Sequence, residues 1–179
     1  MVPQRPDIEV LITEDEIALR IAGLAQEIAA GDPGDVLVVV ILKGSFVFAA
    51  DLLRALERVG VSPQVDFLTL ASYGESATSS GKVKLIQDMS ENVAGRRLLL
   101  VDDILDSGQT LVFARDALRE RGAAEIKTCV LLDKNEGRQV AMEADYVGFE
   151  IGNRFVIGYG LDFAHRFRGL PYIGVLNED

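Results

Sequence analysis

The segment Val101–Leu111, VDDILDSGQTL, gathers the residue types in this chain that are best able to do chemistry. Asp102 and Asp103 follow an apolar run, and a further carboxylate, two hydroxyls and a glycine precede an amphipathic stretch. A loop that opens a helix presents unpaired N–H groups and the positive end of the helix dipole, which favour a phosphate. Gly108 allows close backbone approach. Because the spacing is neither that of a Walker A motif nor that of a dinucleotide fingerprint, we predict a phosphate loop of another kind.

The paired carboxylates restrict what this loop can hold. Beside a phosphate, Asp102 and Asp103 would repel the ligand unless hydroxyls or a cation lay between them. A ribose diol can donate to both carboxylates, and Mg²⁺ would offset their charge. The simpler alternative is that Asp103 and Asp106 merely cap the following helix, as Asp often does. The residues by themselves leave both interpretations open.

Other polar segments follow strand-like runs. Lys43, Gly44 and Ser45 come after the apolar run Val36–Leu42, and Lys134 comes after Ile126–Leu132. A lysine in such a place can bind an anion or a carbonyl oxygen, although a solvated lysine is an equally simple interpretation. The stretch Ser72–Gly81 is polar and rich in small residues, as a surface loop would be.

The surrounding elements alternate between strand and helix. Thr13–Glu16 has the pattern of a capping box before a helix that continues to Ile28. Two further helices are predicted at Phe46–Val59 and Gln109–Arg121. Strands are predicted at Val36–Leu42, Val65–Ala71, Lys82–Gln87, Arg97–Asp102, Ile126–Leu132, Asp145–Ile151, Phe155–Tyr159 and Tyr172–Leu176. This order predicts an α/β fold, a mostly parallel twisted sheet flanked by helices, with ligands at the carboxyl ends of its strands.

Composition narrows the class of protein. No linker or repeat divides the 179 residues, so one domain over residues 1–179 is expected. A net charge of −10 gives no basic surface for nucleic acid. No apolar run reaches the ~20 residues that span a bilayer, and the first residues lack a signal-peptide pattern. We therefore expect a cytoplasmic protein that binds neither membranes nor nucleic acid.

The chain has one cysteine and one histidine, so these residues cannot supply a closed zinc site. Cys129 lies in an apolar run and is predicted to be a buried structural thiol. His165 has no identifiable catalytic partner and is predicted to lie on the surface.

Taken in order, these motifs resemble the type I phosphoribosyltransferases. Their signature for phosphoribosyl pyrophosphate (PRPP) is an apolar strand, two acidic residues, two apolar residues and Asp-(Ser/Thr)-Gly-x-Thr, which VDDILDSGQT matches. From about Thr13 to the end, the chain is similar to the hypoxanthine-guanine branch of bacterial type. The resemblance implies a Rossmann-like sheet with a small hood formed by the terminal segments.

The resemblance also implies roles within the phosphate loop. Asp102 and Asp103 would hold the ribose hydroxyls and contribute to a Mg²⁺ site together with Asp162. Asp106 would be the general base that takes a proton from the purine. The nucleotide phosphate and ribose would be bound by Asp102, Asp103, Asp106, Ser107, Gly108, Gln109 and Thr110.

Further roles follow for the other loops. Pyrophosphate would be bound by Lys43, Gly44, Ser72, Tyr73 and Arg168. A non-proline cis peptide is expected between Leu42 and Lys43. The loop Ser72–Gly81 would close over the site to exclude water, and we expect it to be mobile without ligand.

The resemblance places the purine against a third set of residues. Lys134 would contact its exocyclic oxygen, Phe155 would stack on its ring, and backbone groups of Arg154 and Val156 would read its edge. Asn135 stands where relatives often have proline. Arg138 would lie near the pyrophosphate or support the loop.

The function implied is purine salvage: transfer of the phosphoribosyl group from PRPP to hypoxanthine and guanine, giving IMP and GMP, with Mg²⁺ as cofactor. A homodimer or homotetramer is expected by resemblance. One alternative is a regulator of this fold that binds nucleotide or RNA, as some pyrimidine-operon attenuators do, which the acidic composition disfavours. Another is a phosphoribosyltransferase for a different base, such as adenine or xanthine.

Overall fold

The computed structural model describes residues 7–72 and 83–176. Its helices are α1 (Glu14–Ala30), α2 (Phe46–Arg58) and α3 (Gln109–Glu120). Its strands are β1 (Ile8–Ile12), β2 (Val36–Leu42), β3 (Gln64–Ser72), β4 (Val83–Gln87), β5 (Arg97–Leu105), β6 (Glu125–Lys134), β7 (Tyr146–Ile151), β8 (Val156–Ile157) and β9 (Ile173–Leu176). A short 3-10 helix, Asn135–Gly137, follows β6. Within these residues, no helix combines the length and apolar character that a membrane crossing requires.

The larger sheet has the strand order β4-β3-β2-β5-β6-β7. Strands β3, β2, β5, β6 and β7 are mutually parallel, and β4 pairs antiparallel with β3 at one edge. This arrangement confirms the predicted α/β class with a mostly parallel sheet. The carboxyl ends of the five parallel strands therefore lie along one edge, where ligands bind in such folds.

The central strand β2 is buried on both faces, which explains its continuous apolar sequence. Val36, Val38 and Val40 pack in the core that contains α1 and α2. Leu37, Val39 and Ile41 pack in the opposite core, which contains the buried face of α3. The two cores hold the sheet rigidly, so the loops at its carboxyl edge start from fixed positions.

A second, antiparallel sheet has the order β1-β9-β8. In it Ile8 pairs with Leu176, and Val175 pairs with both Glu9 and Val156. It corresponds to the predicted hood of terminal segments, although β8 comes from the interior of the chain. Strand β1 was not predicted, because its five residues precede the capping box without a turn signal.

Most predicted boundaries agree with the structure, including the capping box. Thr13 N donates to Glu16 Oε2 at 2.8 Å, and Glu16 N donates to Thr13 Oγ1 at 3.3 Å. Strand β5 continues three residues beyond Asp102, because Ile104 and Leu105 pair with residues of β6.

The predicted strand Phe155–Tyr159 was wrong at both ends, since β8 covers only Val156–Ile157. Gly158 and Tyr159 have φ values of 93° and 50°, outside the extended region, so the strand cannot continue through them.

Candidate active site

The polar loops singled out in the sequence meet at the carboxyl edge of the larger sheet. A cleft of about 250 Å³ lies there, lined by Val83 and by the ten residues 102–111. The loops after β2, β6 and β7 leave the same edge. The loop predicted to bind phosphate therefore borders an open cleft.

Asp102 and Asp103 lie at the inner end of this cleft. Asp102 is 6% exposed, and its Oδ1 accepts a hydrogen bond from the Asp103 backbone N–H at 3.0 Å. Burial raises the pKa of Asp102 well above its usual range, and the adjacent charge of Asp103 raises it further. Burial also raises the pKa of Asp103, although hydrogen bonds and the charge of Arg168 oppose the rise. A bound cation or a set of hydroxyl donors would stabilise the ionised forms of these two carboxylates.

Gly44 brings the loop after β2 against the same carboxylates. A Cβ atom at Gly44 would collide with the side chain of Asp103, so a larger residue there would displace that carboxylate. The peptide bond Leu42–Lys43 is cis, as expected. Ser45 is buried and donates through its hydroxyl to the carbonyl oxygen of Ile41. The structure thus joins Lys43 and Gly44 to the phosphate loop.

Gly108 is the N-cap residue of α3, with φ 84°. The alternative that Asp103 or Asp106 caps this helix is therefore wrong, because both lie before the cap and neither bonds to the first turn. Ser107 Oγ accepts from Gln109 N at the long distance of 3.4 Å. With no side-chain oxygen from the N-cap residue, the start of α3 is open to an anion.

Asp106, which lines the cleft, pairs with Lys134 at the end of β6. The side chain of Asp106 is 49% exposed, whereas that of Lys134 is 8% exposed, and Lys134 Nζ lies 3.6 Å from Asp106 Oδ2. Lys134 is therefore not a solvated surface lysine. A buried ammonium group and an accessible carboxylate side by side can bind a polar heterocycle and accept its proton.

Arg138 takes the second of its two expected roles, because it supports the phosphate loop. Its Nε donates to the carbonyl oxygen of Asp106 at 3.1 Å, and its other nitrogens bond to the Asp133 carboxylate and the Met142 carbonyl. The next residue, Gln139, donates from its backbone N–H to Ser107 O at 3.0 Å. This brace joins residues 32 positions apart, and no local pattern in the sequence could have revealed it.

Phe155 is an exposed aromatic residue and not part of the core. Its residue surface is 56% exposed, and its ring meets the 51%-exposed Phe163 edge to face, with centroids 5.8 Å apart. It follows β7 by four residues, and Ile151 at the end of β7 pairs with Lys134. Phe163 was not singled out in the sequence, because a lone phenylalanine is usually core.

The residues on either side of Phe155 differ in their surroundings. The side chain of Arg154 turns toward β1, where Nη2 lies 2.8 Å from Glu9 Oε2. Val156 is buried in β8. Neither side chain is therefore directed to a ligand. The Arg154 backbone N–H donates to Gly152 O at 2.8 Å, and Val156 pairs with Val175.

Asp162 and Arg168 lie in the loop of residues 158–170. Arg168 Nη2 is 2.6 Å from Asp162 Oδ1, and Asp162 Oδ2 accepts from the His165 backbone N–H at 2.8 Å. The His165 side chain is 89% exposed, which confirms its surface position. Gly160 in this loop lies against Gly44, and Gly44 lies against Asp103, so this loop adjoins the phosphate loop.

Ser72 and Tyr73 were expected to bind pyrophosphate, and the loop that they begin was expected to close over the site. Ser72 is the last residue of β3, and Tyr73 lies outside the described residues. The predicted closing loop Ser72–Gly81 likewise lies outside them, apart from Ser72 itself.

Comparison with known proteins gives matches over most of the chain. Residues 11–164 match the model of the phosphoribosyl transferase domain family. The hypoxanthine-guanine phosphoribosyltransferase of Bacillus subtilis (strain 168) is 45% identical over 172 residues, which cover 95% of this chain and 94% of that enzyme. The bifunctional protein TilS/HprT of Listeria innocua is 47% identical over 172 residues, but this chain spans only 26% of its length.

A solved structure is similar over the same extent. A mutant hypoxanthine phosphoribosyltransferase from Trypanosoma cruzi, in a ternary complex with its substrates, has a TM-score of 0.89 and 41% identity. The similarity covers 96% of each chain.

Proposed function

This chain belongs to the phosphoribosyl transferase family, and from that membership we propose that it is a purine salvage enzyme acting on hypoxanthine and guanine. It transfers the 5-phosphoribosyl group from PRPP to the base, giving IMP or GMP and pyrophosphate. The observation that carries the proposal is the pair of Lys134, which is buried, and Asp106, whose accessible carboxylate lines the cleft of the phosphate loop.

The proposed reaction is a displacement at C1 of the ribose. A ring nitrogen of the base forms the new C–N bond as the C–O bond to pyrophosphate breaks. Asp106 takes the proton from the five-membered ring of the base. Most of the acceleration comes from positioning and charge stabilisation, because no covalent intermediate is needed.

Each substrate group has proposed partners in the cleft. Asp102 and Asp103 accept hydrogen bonds from the ribose hydroxyls. The phosphate lies at the start of α3, where its oxygens accept from the segment Asp106, Ser107, Gly108, Gln109 and Thr110. Pyrophosphate is held by Lys43, Gly44, Ser72, Tyr73 and Arg168.

The base has a separate set of partners. Lys134 donates to the exocyclic oxygen, which favours 6-oxo purines over adenine, whose amino group is itself a donor. Phe155 offers an exposed ring for stacking. Backbone groups of Arg154 and Val156 read the remaining edge of the base.

We also propose that Mg²⁺ accompanies PRPP. Within residues 7–72 and 83–176, no group of three or more acidic, cysteine or histidine side chains could hold a metal ion by itself. That fits an ion held by one or two carboxylates and the phosphate oxygens of a substrate. One or two of the expected residues Asp102, Asp103 and Asp162 would hold it, together with the phosphate oxygens of PRPP. When bound, the ion neutralises charge on the leaving pyrophosphate.

Two competing functions receive less support. A nucleic-acid-binding regulator of the same fold needs a basic face, and the net charge of −10 opposes one. A preference for adenine would leave Lys134 facing an amino group.

Initial rates with hypoxanthine, guanine, xanthine and adenine test the proposal directly. We expect turnover of hypoxanthine and guanine, and a kcat/KM for adenine lower by about 10²-fold or more. Lys134→Met should reduce that discrimination, because the donor to the exocyclic oxygen is lost. Preferential use of adenine by the unmodified enzyme would contradict the proposal.

A homodimer or homotetramer is the proposed assembly. Phe46, Phe67 and Ile86, at the start of α2 and on β3 and β4, are each about half exposed. These side chains offer apolar area that a second chain would cover, although single exposed apolar residues are also common on monomers. A cytoplasmic location is proposed as well, consistent with a single, buried cysteine.

A further inference from the structure

Tyr159 makes a long-range hydrogen bond that the proposed reaction does not use. Its hydroxyl donates to the carboxylate of Asp51 in α2, 108 residues earlier in the chain. Tyr159 is 6% exposed and has φ 50°, a region that bulky residues seldom adopt. Such a conformation persists only where the surroundings hold it in place. The contact is therefore a specific one and not a chance surface pair.

The backbone around Tyr159 leads directly to the proposed pyrophosphate residues. Tyr159 N donates to Leu170 O at 2.9 Å, and Gly160 N donates to Arg168 O at 2.9 Å. The guanidinium group of Arg168 donates back to Gly160 O at 2.7 Å. Arg168 is thus held on both its backbone and its side chain by the residue that follows Tyr159.

Gly160 also touches the opposite side of the same subsite. A Cβ atom at Gly160 would collide with the carbonyl oxygen of Gly44, so these two backbones are in close contact. A small rotation of the chain at Tyr159 would therefore move Gly160 relative to both Gly44 and Arg168.

Asp51 is well placed to fix that rotation. Its helix, α2, begins at Phe46, immediately after Lys43, Gly44 and Ser45. Its carboxylate also pairs with Arg54, one turn further along the helix. Burial and the hydrogen bond from its hydroxyl to Asp51 raise the pKa of Tyr159, so the hydroxyl remains a donor.

We propose that Tyr159 is a positioning residue for pyrophosphate, with Asp51 as its acceptor and Arg54 orienting Asp51. Through Gly160 it sets the distance between the two backbone segments that carry Gly44 and Arg168. It touches no substrate. The inference rests on the proposed function, because it assigns a purpose to a contact beside the proposed pyrophosphate subsite.

Removal of one hydroxyl tests this role. Tyr159→Phe keeps the ring in the core and deletes only the donor. We expect the KM for PRPP and the dissociation constant of magnesium pyrophosphate to rise by about tenfold, the effect of losing roughly one hydrogen bond. The KM for hypoxanthine should stay within about twofold of the unmodified value, since Lys134 lies on β6 and Phe155 precedes β8, whereas Tyr159 follows β8.

Tyr146→Phe is the matched control. Tyr146 begins β7 at the opposite edge of the sheet, where its ring lies 5.9 Å from Lys127 Nζ. The same hydroxyl deletion there should leave both KM values unchanged. A merely structural hydrogen bond would give Tyr159→Phe a lower Tm with equal changes for both substrates, and that result would overturn the proposal.

Arg54→Gln is a second test, for the case that Tyr159→Phe fails to fold. The Arg54 side chain is 65% exposed, so we expect this variant to keep the fold. It should weaken pyrophosphate binding in the same direction by a smaller factor. If both variants bind pyrophosphate as tightly as the unmodified protein, the proposal is wrong. Direct titration of pyrophosphate needs no turnover, so it distinguishes this failure from a failure of the proposed reaction.

Discussion

Asp106 and Lys134 are the residues on which proton transfer and base recognition depend. Asp106 follows β5 and Lys134 ends β6, and their charged groups lie 3.6 Å apart. The carboxylate is accessible to a base in the cleft, while the ammonium group is held in place by burial. These residues therefore give the sharpest test of the proposed chemistry.

Asp106→Asn keeps the size of the side chain but removes its capacity to accept a proton. We expect kcat to fall by about 10² or more, with little change in the KM for PRPP. Steady-state kinetics with each substrate varied in turn gives both numbers. Near-normal turnover would remove Asp106 from the role of general base.

Asp102→Asn should have opposite effects on stability and activity. The Asp102 carboxylate is buried beside Asp103, and burial and like charge make its ionised form unfavourable. A neutral amide removes that repulsion, so we expect Tm without ligand to rise by about 3 °C. The KM for PRPP should increase, because a ribose acceptor is lost. A lower Tm would mean that the carboxylate contributes to folding.

The phosphate loop depends on the element that follows β6 as much as on its own sequence. Residues 137–140 lie against it, and Arg138 bonds to the Asp106 carbonyl. A Cβ atom at Gly137 would collide with the Asp106 carboxylate. Contacts from residues outside the loop therefore fix Asp106, the proposed general base.

Arg138→Gln should destabilise the fold because it leaves Asp133, which is 8% exposed, without its cationic partner. We expect a loss of about 3 kcal/mol in the free energy of unfolding, measured by denaturant titration. The double variant Asp133→Asn/Arg138→Gln should recover part of that loss. If the two single effects simply add, the ion pair is not what stabilises this segment.

The element order and most strand bounds could be predicted because local patterns determine them. The continuous apolar run of β2 and the capping box of α1 are both visible in a short window. The support from Arg138 was expected only from the family resemblance. The Tyr159 contact could not be predicted, because it joins residues that only the fold brings together. The edge-to-face contact of Phe155 with Phe163 was missed for the same reason.

At the scale of the whole molecule, acid stability reflects carboxylates that fix one segment to another. Asp66 in β3 accepts from the backbone N–H groups of Ser90 and Glu91 at 2.7 and 2.8 Å. Burial opposes its ionisation, but these donors together with the Phe67 N–H outweigh burial and lower its pKa. Its stabilising effect is therefore present above the unfolded pKa of about 4 and is lost as pH falls through the lower folded pKa.

Asp66→Asn should flatten the loss of stability below about pH 4. Urea titrations between about pH 2.5 and pH 7 compare the two proteins over that window. Glu120→Gln, which removes one carboxylate at an exposed position on α3, is the matched control. If the free energy of unfolding of Asp66→Asn falls with acid as steeply as that of the unmodified protein, other carboxylates determine the acid sensitivity.

The pairing of Ile8 with Leu176 brings the first and last described strands side by side. Within the described residues, the start of β1 and the end of β9 are therefore neighbours, so a covalent link between them would span a short distance. Joining residue 179 to residue 1 and opening the chain between Gly60 and Val61 gives a circular permutant. The opening lies after α2, and a Cβ atom at Gly60 would meet nothing within 4 Å. We expect that permutant to fold and to bind PRPP.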